Sequence, residues 1–80
     1  MGGSLNDPEV QDLYMRLQDR ISVRTQQAGG LEGCTSPSLA WSLYEMYTDA
    51  AEFQAGIVRD VSLSKAREWR GVYSRLTDRP

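Results

Sequence analysis

Residues 36–59 read SPSLAWSLYEMYTDAAEFQAGIVR, and the way this stretch divides decides the fold. Ser36-Pro37 is a helix start: the serine oxygen can accept from an early backbone N–H, and proline suits the first helical position. Behind it, Leu39, Leu43, Met46, Ala50, Phe53 and Ile57 recur at helical spacing. Ala40, Tyr44, Tyr47, Ala51, Ala55 and Val58 form a second stripe beside the first. At about 100° per residue the two stripes cover roughly 200° of the helix, a face wide enough to be flanked on two sides. The reading is one central helix over 36–59. A break near residue 49, with Asp49 as cap and Glu52 three positions on, would make two helices of it.

Working outward, Asp7-Pro8-Glu9 is a second cap-and-proline start. Val10, Leu13, Tyr14, Leu17, Ile21 and Ala28 then share a face, until Gly29-Gly30 stops the helix. Beyond the central stretch, Ala66, Trp69, Val72, Tyr73 and Leu76 define the inner face of a last helix beginning near Ser62, which Asp78-Arg79-Pro80 ends. No segment alternates with the two-residue period of a strand. The expected fold is all-α: a three-helix bundle over residues 8–77, with helices at about 8–28, 36–59 and 62–77, or four helices if the central one breaks. Residues 1–7 are expected to form a flexible N-terminal segment.

Composition narrows the chemistry. The 80 residues contain no His, one Cys and one Lys, with 9 basic against 11 acidic side chains. Leu, Ile, Val and Phe together number 16, at the lower edge for a folded chain, so two Trp, four Tyr and three Met must supply core volume. One thiol without histidine cannot build a zinc site or a Cys–His nucleophile, so no metal, cofactor or enzymatic activity is expected. Cys34 follows a glycine in a loop, which predicts an accessible thiol of ordinary reactivity. No run approaches the length of a membrane span or carries the pattern of a signal peptide, and the expected location is the cytoplasm.

The near-neutral total conceals a polarity. Residues 1–60 hold four basic and nine acidic side chains, a net −5, whereas residues 61–80 hold five basic and two acidic, a net +3. On the central helix Glu45, Asp49 and Glu52 share one stripe opposite the apolar face, with Trp41 one turn before Glu45. An exposed Trp beside carboxylates suits an interface that receives Arg or Lys. Arg16, Arg20 and Arg24 form a basic stripe on the first helix, placed to answer the acids within the chain or across a homodimer, and Asp12 is placed to pair with Arg16. The main expectation is a small non-enzymatic interaction module, adaptor or inhibitor. It would hold a protein or nucleoprotein with a basic groove through Trp41, Glu45, Asp49 and Glu52, in the manner of small viral accessory proteins.

A second reading comes from the last helix. Asp60-Val61-Ser62-Leu63-Ser64-Lys65-Ala66-Arg67-Glu68-Trp69-Arg70 resembles the turn and recognition helix of homeodomain-like helix-turn-helix domains. The resemblance implies a DNA-binding regulator in which Ser62 and Ser64 meet phosphate, Arg67 and Arg70 reach bases or phosphate, and Lys65 and Arg75 add charge. The chain departs from the pattern at Asp60, where such turns carry glycine.

Overall fold

A computed structural model describes residues 8–78. Within them the chain is all-α, with four helices and no strand: α1 (Pro8–Ala28), α2 (Gly30–Gly33), α3 (Pro37–Glu52) and α4 (Gly56–Thr77). Asp7 as a cap, the flexible segment 1–7 and the closing Arg79-Pro80 lie outside the described residues.

The start of α3 is the one expected. The Leu39 N–H donates to Ser36 Oγ at 3.3 Å, and Pro37 stands in the first turn. At the end of α1, the Gly29 N–H donates to the Thr25 and Gln26 carbonyls at 3.1 and 3.2 Å, with Gly29 at φ 80. That left-handed turn suits glycine. The chain then makes one further helical turn, α2, where a loop was expected. Cys34 follows it, but is 3% exposed and joins the core instead of standing accessible, its Sγ–H donating to the Ser36 carbonyl.

The central stretch does not form one helix. It ends at Glu52, not at Arg59, and breaks at residues 53–55 instead of near residue 49. Phe53 leaves helical geometry while its N–H still reaches Ala50 O, Ala55 is extended at φ −142, and Gly56 restarts the chain at φ 64. The break is held by side chains from both sides. Gln54 Nε2 donates to Tyr14 Oη of α1, and Ser62 Oγ of α4 donates to Gln54 Oε1. Hydrophobic spacing misses this because Phe53, Ile57 and Val58 continue the helical period through the turn. Ile57 and Val58 are therefore not core residues; they are 80% and 57% exposed on the first turns of α4.

The last helix accordingly starts at Gly56, six residues before the expected Ser62. Its inner face is otherwise as read, with Ala66, Trp69 and Val72 buried. α3 and α4 share the most extensive seam, and α1 packs chiefly on α3. Ala40, Ala50, Ala51 and Ala66 are all buried, and such small side chains let two helix backbones approach closely. Leu43 and Trp69, wholly buried, fill the remaining volume, with Ile21 brought in from α1. Tyr14 lies against Phe53, ring centroids 6.0 Å apart, so α1 runs antiparallel to α3 with its start at the end of α3.

Candidate partner-binding face

Three of the four expected contact residues come together. Trp41, Glu45 and Asp49, with Tyr44 and Thr48, line a shallow groove of about 460 Å³ on the outside of α3. Helical spacing produces this: positions 41, 45, 48, 49 and 52 fall on the side away from Leu43, Met46 and Ala50. Glu45, Asp49 and Glu52 are all exposed, and Glu52 extends the acidic ridge one turn past the groove. None of the three makes an ion pair among the described residues. The expected intramolecular answer from Arg16, Arg20 and Arg24 is therefore absent. Arg16 instead pairs with Asp12 on its own helix at 3.1 Å, and among the described residues Arg20 and Arg24 make no ion pair.

Trp41 is half-buried, because one side of its ring is folded into the seam with α4. Its centroid lies 4.9 Å from both Tyr44 and Tyr73, with tilts of 45° and 53°. The Arg70 guanidinium sits 5.8 Å from the Trp41 ring and 5.5 Å from the Tyr44 ring, within cation–π range of both. The groove floor is thus an aromatic pair braced from behind by α4, with carboxylates along its outer edge. Tyr44 reads in the sequence as part of the second apolar stripe, and Thr48 carries no signal of its own. The i, i+3 spacing of Trp41 and Tyr44 was the available signal. Arg70's part depended on the register of α4 against α3, which the sequence does not display.

No known protein family, curated protein or solved structure matches this chain.

The residues of the DNA-directed reading do not all share one face. Asp60-Val61-Ser62 runs through the unbroken α4 and forms no turn. Ser62 is buried at 7% exposure and its hydroxyl is committed to Gln54, so it presents nothing to a phosphate. Ser64, Lys65, Arg67 and Arg75 are exposed, but Lys65 pairs with Glu68 at 3.5 Å and lies beside Tyr14 and Val61 on one flank of α4. Arg70 lies on the other flank, over the aromatic pair. Arg67 and Arg70, three positions apart, share the outer part of α4, with Arg75 to one side of them and Lys65 on the far flank.

Among the described residues no cluster of His, Cys, Asp and Glu could hold a metal ion, and no helix is long and apolar enough to cross a membrane.

Proposed function

We propose that this chain is a small non-enzymatic interaction module of the cytoplasm, an adaptor or inhibitor, which holds a basic protein surface on the outer face of α3. The observation that carries the reading is the acidic ridge itself: Glu45, Asp49 and Glu52 stand exposed beside the Trp41–Tyr44 groove, with no ion pair among the described residues. Like charges at this spacing weaken a helix by roughly 0.2–0.5 kcal/mol per pair, a cost that a cationic partner would turn into attraction. Trp41, partly buried but bordering the groove, supplies the apolar anchor around which interface energy concentrates. Arg70 behind the ring holds that anchor in place before any partner arrives, which lowers the entropy cost of binding.

The test uses a synthetic amphipathic helix carrying Arg at every fourth position as probe. It is titrated into the R16E/R20E/R24E variant, whose own basic stripe is gone, with backbone amide and indole NMR shifts as readout. Saturable shifts centred on Trp41, Glu45, Asp49 and Glu52, lost on adding E45K/D49K/E52K, are expected. Shifts spread evenly over the molecule, or none, would refute the reading.

A further inference from the structure

We infer that the basic surface received by the α3 ridge is α1 of a second copy of this chain. This partner rests on the reading above and makes it specific. The two stripes lie on the same side of the molecule. Gln18 of α1 and Tyr47 of α3 line one depression with Val61, Ser62 and Lys65 of α4, which places the Gln18 flank of α1 on the side of α3 nearer α4. Arg16, Arg20 and Arg24 occupy the other flank of α1, where α3 presents Asp49 and Glu45. One face of the molecule therefore carries a basic ridge and an acidic ridge side by side, running antiparallel, with no ion pair between them among the described residues.

Register makes the two ridges complementary. Tyr14 is level with Phe53 and Gln54, and further along α1 Gln18 and Ile21 border the same depression as Tyr47. Each step up α1 is a step down α3, so Arg16 stands at the height of Glu52, Arg20 at that of Asp49 and Arg24 at that of Glu45. A two-fold axis parallel to these helices, lying in the plane between two facing copies, preserves height and exchanges left for right. It sets each Arg of one copy opposite the acid at its own level in the other. All six pairs of the dimer can form at once, with Arg16 shared between Glu52 and the Asp12 carboxylate that it already holds at 3.1 Å. Leu13 and Val23, 57% and 51% exposed on the same arginine-bearing side of α1, bring apolar area to the contact. Such a contact is isologous and closed, the commonest arrangement of small oligomers.

Sedimentation of the full chain over a concentration series at low salt tests this. A dimer of twice the 9.0 kDa chain is expected, weakening as salt screens the charges. Arg20→Glu should raise its dissociation constant by roughly tenfold or more, since two pairs per dimer turn repulsive. Adding Asp49→Arg to that same chain should restore it, because opposite charges then face each other across the axis again, with their signs exchanged. Circular dichroism must stay unchanged throughout, as expected for exposed positions. A wild-type chain that remains monomeric at every concentration, or a dimer indifferent to both substitutions, would overturn the inference. If the arginine helix still binds the ridge in that case, the self-pairing alone falls and the interaction reading stands.

Discussion

Gln54 joins three helices with one amide, accepting from Ser62 of α4 and donating to Tyr14 of α1. Gln54→Ala would leave the buried Ser62 hydroxyl without a partner, a loss of about 1–3 kcal/mol in urea unfolding. Adding Ser62→Ala should return part of that loss, since the orphaned group is gone; equal instability of single and double variants would refute the account. Core and surface should separate as sharply. Trp69→Ala is expected to cost about 3–5 kcal/mol, whereas Ile57→Ser should stay within about 0.5 kcal/mol, although both residues read as apolar helix positions. The same urea titrations check this, and similar losses at the two positions would contradict it. Burial of Trp69, Val72, Leu43 and Ile21 was legible in the sequence because each lies mid-stripe, where any packing partner covers it. Ile57 was not, because its exposure depends on the turn just before it.

At the scale of elements, that turn is the point where local pattern and structure part. Nothing in Phe53-Gln54-Ala55-Gly56 interrupts the apolar period, and a single glycine within a helix costs only about 1 kcal/mol. What ends α3 is tertiary: Phe53 finds Tyr14, and Gln54 finds Tyr14 and Ser62, which a straight helix would carry away from them. Gly56 then supplies the left-handed residue at φ 64 from which α4 restarts. Gly56→Ala should therefore destabilise the protein by about 1–2 kcal/mol in thermal or urea unfolding, although the substitution favours helix locally and an added Cβ meets no atom within 4 Å. A gain in stability would mean that α3 and α4 tend towards one continuous helix. The caps at Ser36 and Gly29 needed no such context. Their hydrogen bonds close within four residues, so the sequence displays them in full. The acidic ridge was legible for a similar reason, being a matter of spacing on one helix. The brace of Tyr73 and Arg70 behind Trp41 was not, since it joins residues far apart in the chain.

Across the whole molecule, the seams are unequal. α3 and α4 meet along most of their length through buried alanines and Trp69, while α1 rests chiefly on α3. Amide exchange should reflect this, with α1 opening at lower free energy than the Leu43 and Trp69 regions; uniform protection in all three long helices would contradict it. The same inequality bears on the order in which the chain assembles. Residues 53–55 are so short a link that α3 and α4 meet with little loop-closure entropy. α1 has to find its seat across a longer connection and gains less on arrival. The α3–α4 hairpin is thus the natural folding nucleus, with α1 docking after the rate-limiting step. Truncations such as Leu43→Ala, at the heart of that hairpin, should slow refolding, whereas Ile21→Val should mainly hasten unfolding. The tight turn that hides from sequence periodicity would then be the place where folding begins.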